Sequence, residues 1–154
     1  MSFPHGTLVT GKDGKPTWLF AKGSFATSNT KHKRYRATAV VLRGDKILLV
    51  RDKGLSEYSL PGGKFKRGES TLQAASRELL EELSGISIVS LSRQRHWDLD
   101  GHRAHHKFAL VVIEGEPIIR QTYELDDVRW WDGRDNLPVQ GHVKYILNKL
   151  DKNA

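Results

Sequence analysis

The sequence predicts an α/β protein in which a β-sheet lies between helices. Three observations carry that reading. β-Branched and apolar segments recur at residues 37–43, 46–51, 86–91 and 105–113, one amphipathic helix is set among them, and a second closes the chain. A strand needs a sheet neighbour and an amphipathic helix needs a surface to cover, so elements in this order settle into layers. A chain of 154 residues has enough length for one hydrophobic core and not for two.

Residues 1–34 are rich in Gly, Lys, Thr and Ser, with one apolar patch at Trp18-Leu19-Phe20. The turn-forming run Gly11-Lys12-Asp13-Gly14-Lys15-Pro16 lets residues 8–10 and 17–20 pair as a hairpin. This part therefore reads as an N-terminal extension or hairpin in front of a domain at residues 35–154. From Tyr35 the apolar pattern becomes regular. Residues 37–43 and 46–51 flank Gly44-Asp45 and read as a strand pair about a tight turn. Tyr58-Ser59-Leu60 then leads into Pro61-Gly62-Gly63, a break where neither helix nor regular strand should continue.

The clearest helix runs from Ser70 to about Ser84, because Leu72, Ala75, Leu79 and Leu83 recur at spacings of three and four. Ser70 or Glu69 can cap its first turn, and Gly85 stands where a left-handed residue usually ends a helix. Residues 86–91 and 105–113 follow as strands, with a shorter one at Arg129-Trp130-Trp131. Residues 139–150 form the closing helix, with Val143, Ile146, Leu147 and Leu150 on its apolar face.

Composition excludes several classes. No apolar run approaches the roughly 20 residues that span a bilayer, and the first residues lack the apolar core of a signal peptide, so no membrane role is expected. There are no cysteines, which excludes disulfide and thiolate-metal frameworks and suits the cytoplasm. A net charge of +7 favours contact with an anion: a nucleic acid, a nucleotide or another phosphorylated small molecule. Charge of this size also serves plain solubility, so it does not choose a partner.

The first helix carries Glu78, Glu81 and Glu82. At about 100° per residue they fall within one arc of about 100°, placed here largely opposite the leucine stripe. Clustered carboxylates destabilise a helix modestly, whereas a hard divalent cation such as Mg²⁺ or Mn²⁺ would reverse that sign. A solvated acidic face is the other reading of such a helix. The preceding residues shift the balance. Gly62-Gly63 allows a close backbone approach, Lys64, Lys66 and Arg67 bring positive charge, and Glu69 follows. A glycine loop, bases and a carboxylate helix in succession suit a diphosphate and its metal.

Gly63, five residues, Glu69, seven residues, then Arg77-Glu78-Leu79-Leu80-Glu81-Glu82 resembles the Nudix box without a gap. One departure is visible: the family expects a glycine two residues after the last Glu, and here Gly85 comes one later. The resemblance implies a Nudix-type α/β/α sandwich with a mixed β-sheet between helices, and a hydrolase acting on acid anhydrides in phosphorus-containing substrates, dependent on Mg²⁺ or Mn²⁺. By matching position, it implies Glu78, Glu81 and Glu82 as metal ligands, with the Gly62 carbonyl as a further one. Glu69 looks like a supporting carboxylate and Arg77 like its electrostatic partner. Glu124 resembles an extra carboxylate that RNA 5′-pyrophosphohydrolases supply from a later loop, with a plain surface acid as the other reading. Arg51 and Lys64, which flank the glycine loop, are phosphate-contact candidates along with Gly63.

His96, His102, His105 and His106 do not read as a zinc site. His105 and His106 adjoin on a strand and so face opposite sides, and one histidine near the substrate is the stronger expectation. Trp130 and Trp131 alternate likewise, one in the core and the other available to stack on a base. The run Lys31-His32-Lys33-Arg34-Tyr35-Arg36 reads as a solvated basic arm or a nucleic-acid contact. The proline of the ADP-ribose subfamily, the tyrosine of the dinucleoside-polyphosphate subfamily and the NADH-pyrophosphatase array have no counterpart. Leu60-Pro61-Gly62-Gly63-Lys64 instead resembles the loop of MutT-like nucleotide-pool enzymes. The expected substrate is a (deoxy)nucleoside triphosphate, a related nucleotide or another organic pyrophosphate. An RNA 5′ end and a non-catalytic binding module are the alternatives. Nudix proteins are frequently dimers, so a homodimer is an expected state.

Overall fold

The computed structural model describes residues 7–10, 16–19, 34–120, 122 and 124–152. Strands β1 (Thr7–Thr10) and β2 (Pro16–Leu19) pair antiparallel, with Leu8 opposite Trp18. The turn between them, Phe20, and Lys31, His32 and Lys33 of the basic run lie outside the described residues.

The main sheet has seven strands: β3 (Arg34–Arg43), β4 (Lys46–Asp52), β5 (Gly62–Lys64), β6 (Leu83–Arg93), β7 (Leu99–Asp100), β8 (Ala104–Ile119) and β9 (Leu125–Trp131). Its path is β6-β8-β3-β4-β9, with β5 beside β3 and β7 beside β8. β3 runs parallel to β8 and antiparallel to β4, so the sheet is mixed as expected. Helix α1 (Thr71–Glu82) lies between β5 and β6, and α2 (Gly141–Lys152) ends the fold.

Alternation along β3 divides the core in two. Ala37, Ala39 and Val41 pack with Ala74, Ala75 and Leu79 of α1, while Val40 packs with Val143 and Ile146 of α2. A fully buried leucine such as Leu79 contributes about 1.5–3 kcal/mol, so each helix is seated by a few such side chains. Among the described residues no helix is long and apolar enough to cross a membrane.

Two local expectations are corrected. The glycine break does carry a strand, because Gly62–Lys64 pairs with Arg36–Thr38 of β3. Gly85 does not stop the helix. α1 ends at Glu82 with Leu83 already extended, and Gly85 (φ +80°) sits where the β6–β8 register shifts. A side chain there would come within 2.5 Å of the Glu116 carbonyl oxygen, so the position suits only glycine.

Candidate functional site

The two glycines of the loop have different tasks. Gly62 has φ +148°, and an added Cβ would stand 2.1 Å from the Ala37 carbonyl oxygen; its bareness lets β5 lie against β3. At Gly63 an added Cβ would lie 2.4–2.8 Å from the carboxyl atoms of Glu78. Gly63 thus makes room for a carboxylate.

α1 opens with a reciprocal cap: the Gln73 N–H donates to Ser70 Oγ and the Ser70 N–H to Gln73 Oε1. Glu69 is therefore not the cap. It faces Arg77, whose Nε donates to Oε2 at 2.6 Å and Nη2 to Oε1 at 3.0 Å. The same Nη2 reaches the Lys64 carbonyl at 2.8 Å. Nη1 donates to Glu78 at 2.9 Å and to both oxygens of Glu81 at 3.2 Å. The bond from Arg77 holds the Glu69 carboxyl below the usual carboxylate range.

Glu82 requires a correction. It does not belong to the outward acidic arc, because at about 100° per residue it falls only about 20° from Ala75. Accordingly it is 5% exposed. Its sole described side-chain bond is a long one, 3.4 Å from the Gly62 N–H. Burial, and then the negative charge of Glu78, push its pKa up to about 8 against the opposing charge of Arg36; Asp52 adds to the rise. Among the described residues no cation bonds directly to this deep carboxyl, and the charge of Arg36 offsets its burial only in part.

Among the described residues, no three His, Asp or Glu side chains close into a ready metal shell. The Arg77 guanidinium stands among Glu69, Glu78 and Glu81 instead. The donor set still fits a hard divalent cation. Buried Glu82, Glu78 at the bare Gly63, Glu81 on the next turn and the backbone oxygen of Gly62 all offer the hard oxygen donors that such a cation takes.

The opposite face of the sheet holds a cleft of about 400 Å³, bordered by His102, Arg103, His106, Gln140, His142 and Tyr145. His106 Nδ1 is hydrogen-bonded to Thr38 Oγ1 at 2.8 Å, and its ring stacks on His142 at 4.4 Å between centroids. The Leu60 N–H donates to His142 Nε2 at 3.1 Å, so that nitrogen carries no proton. Burial depresses both rings, to about 3 for His106 and about 2 for His142, with nearby positive charge adding to the effect. The pair is neutral. The charge of Arg36 acts on both Glu82 and this histidine pair, and its Nη2 donates to the carbonyls of Leu60 at 3.0 Å and Gly62 at 3.3 Å.

The remaining candidates are distributed as follows. Lys64 is exposed on β5, beside the carboxylate helix. Arg51 is engaged by Asp126 at 2.6 Å and lies over the Tyr58 ring, whose hydroxyl donates to Asp127. The exposed Glu124 precedes β9 and enters none of the bonds described for the α1 carboxylates. His96 is exposed, His102 borders the cleft, and His105 pairs with Asp100 at 2.7 Å on the face opposite His106. Trp131 is in the core; Trp130 is partly buried beneath the guanidinium of Arg43. Arg36 belongs to β3 and not to a solvated arm. Sequence reasoning missed Arg36, Asp52, Tyr145 and His142. For His142 a signal existed: it stands four residues before Ile146, a polar residue inside the apolar stripe of α2.

A family model, the NUDIX domain, matches residues 32–146. No curated protein matches the chain significantly. Among solved structures, one described as a nudix hydrolase family member from Chromobacterium violaceum is 26% identical, with TM-score 0.63 and 80% of each chain covered. A MutT NUDIX hydrolase from Burkholderia pseudomallei is 21% identical, with TM-score 0.57 over 78% of this chain and 99% of that one. An ADP-ribose pyrophosphatase from Streptococcus suis is 19% identical, with TM-score 0.59 over 80% and 94%. The last two likenesses concern the fold.

Proposed function

The chain belongs to the Nudix family and is a pyrophosphohydrolase; on that premise we propose that it cleaves a (deoxy)nucleoside triphosphate or related nucleotide to the monophosphate, with Mg²⁺ or Mn²⁺ bound. One observation carries this reading: the segment 60–64 touches both regions, with the Glu78 carboxyl against the bare Gly63 and the Leu60 N–H bonded to His142 of the cleft. A diphosphate laid along that segment has its charged centre at the carboxylates, beside the exposed ammonium of Lys64.

Glu78, Glu81, Glu82 and the Gly62 carbonyl would hold the cation. Bound there, it would supply positive charge against the diphosphate and make water more acidic. Water then adds to one phosphorus, the anhydride P–O bond breaks toward the other phosphate, and a carboxylate of this set accepts the proton. Glu69 and Arg77 keep Glu78 and Glu81 in place. Lys64 supplies an exposed ammonium for phosphate oxygens. Arg51 joins it when phosphate displaces Asp126. Glu124 adjoins Leu125, the register partner of Asp52, whose charge reaches Glu82; this placement supports Glu124 as a rim carboxylate. Residues 35–154 form the catalytic unit, and 1–34 its extension.

The test is a Mg²⁺-dependent phosphate-release panel over dNTPs, NTPs, sugar nucleotides, ADP-ribose and triphosphorylated RNA. A mononucleotide triphosphate is expected to lead. Preference for RNA over every mononucleotide would replace this substrate by the RNA 5′ end.

A further inference from the structure

Arg36 is accounted for neither by the carboxylate cluster nor by the cleft alone. It sits on β3 at the one position flanked by Lys64 of β5 and by His106 of β8. Its Nη2 ties the carbonyls of Leu60 and Gly62 together, and its Nε is buried with no hydrogen-bond partner among the described residues. Its charge reaches Glu82 on one side and His106 and His142 on the other. Leu60 is held from both ends, its carbonyl by Arg36 and its N–H by His142. A half-buried guanidinium with no directly bonded carboxylate is expensive to keep, and a neutral donor would tie two carbonyls more cheaply. A charge retained at that disadvantage marks a task beyond tying the loop.

We propose that Arg36 is a positioning residue for hydrolysis. By gripping the Leu60 and Gly62 carbonyls it fixes where the Gly62 peptide stands against the α1 carboxylates, and it links that peptide mechanically to the histidine cleft. This rests on the reading that the carboxylates and the Gly62 carbonyl hold a divalent cation. One nitrogen, Nη2, serves both acceptors, and the planar guanidinium fixes the directions of its two N–H bonds; a lysine ammonium keeps the charge but turns freely on a flexible stem.

The experiment uses the full chain as wild type, Arg36→Lys, Arg36→Gln and Val40→Ala. Val40 is a buried residue on the same strand and face and is a control for stability. Mn²⁺ affinity is read by electron paramagnetic resonance without nucleotide, followed by kcat, KM and the thermal midpoint. Both Arg36 variants are expected to bind Mn²⁺ about 10-fold more weakly and to lose about 10-fold or more in kcat, with KM within about 3-fold. Val40→Ala lowers the midpoint and keeps wild-type Mn²⁺ affinity. Arg36→Lys with wild-type affinity and kcat overturns the proposal, as does a loss of Mn²⁺ affinity in Val40→Ala equal to that of Arg36→Lys. Wild-type protein that binds no Mn²⁺ overturns the metal reading itself, a result distinct from the other two.

Discussion

Arg77 grips Glu69 through two parallel bonds, Nε to Oε2 at 2.6 Å and Nη2 to Oε1 at 3.0 Å, and turns its remaining nitrogen to Glu78 and Glu81. The acidic helix thus carries its own cation. Arg77→Met should leave three carboxylates in mutual repulsion and lower the metal-free thermal midpoint by ~5–10 °C, about 2–3 kcal/mol. Millimolar Mn²⁺ should restore much of that loss, because it supplies the missing positive charge. An equal fall with and without Mn²⁺ would show that the arginine's role does not concern charge balance at a cation site.

Replacing Glu81 by Gln keeps its shape and removes its charge. With the side chain 40% exposed, little stability should be lost. Turnover should fall by at least about 100-fold as a cation ligand is lost. Near-normal turnover would remove Glu81 from the ligand set.

Two glycine variants should separate catalysis from stability. Gly63→Ala meets the flexible end of Glu78, so its effect should fall on turnover, by about 10-fold or more, with the midpoint nearly unchanged. Gly85→Ala meets backbone and forces a left-handed alanine, which should cost about 1–3 kcal/mol. Turnover of its folded fraction should stay near wild type. The reverse pattern, measured by calorimetry and steady-state kinetics, would contradict the division of labour between these glycines.

Acid should weaken the fold through the histidine pair. Both folded-state pKa values, about 3 for His106 and about 2 for His142, lie below the ordinary 6.5, so the unfolded chain binds more protons between those limits. The stability each contributes is present above pH ~6.5 and is lost as pH falls toward the folded values. From pH 7.5 to 5.5 that loss is about 1.4 kcal/mol per histidine. Glu82, raised to about 8, acts in the opposite sense over this range, so the wild-type slope is a difference. His142→Gln cancels the common terms. Urea melts of that variant should fall about 1.4 kcal/mol less than wild type over the same interval, and parallel slopes would refute the assignment.

Local features were legible where the signal was local. The α1 stripe, the Ser70 cap, the hairpin at Gly44 and the spacing from Gly63 to Glu82 are visible within a few turns of chain. What escaped depends on distant partners. Arg36 looked like part of a basic arm because its acceptors, Leu60 and Gly62, lie more than twenty residues on. β5 looked like a break because its pairing comes wholly from β3. Glu82 was misplaced for another reason: the three carboxylates were treated as one arc, although Glu82 stands about 20° from Ala75, at the edge of the stripe that is buried.

The parallel register of β3 and β8 also orders events in time. Arg34 lies opposite Ala104, 70 residues later in the chain, whereas α1 closes its turns among neighbours. Bringing such distant segments together is slow relative to forming a helix, because a long loop must close before any contact rewards it. During synthesis, the glutamates of α1 therefore emerge from the ribosome well before the strand that sets His106 beside Arg36. The cleft needs still more of the chain, because His142 and Tyr145 arrive with α2, so the α1 carboxylates and the histidine pair become neighbours only as the last helix docks.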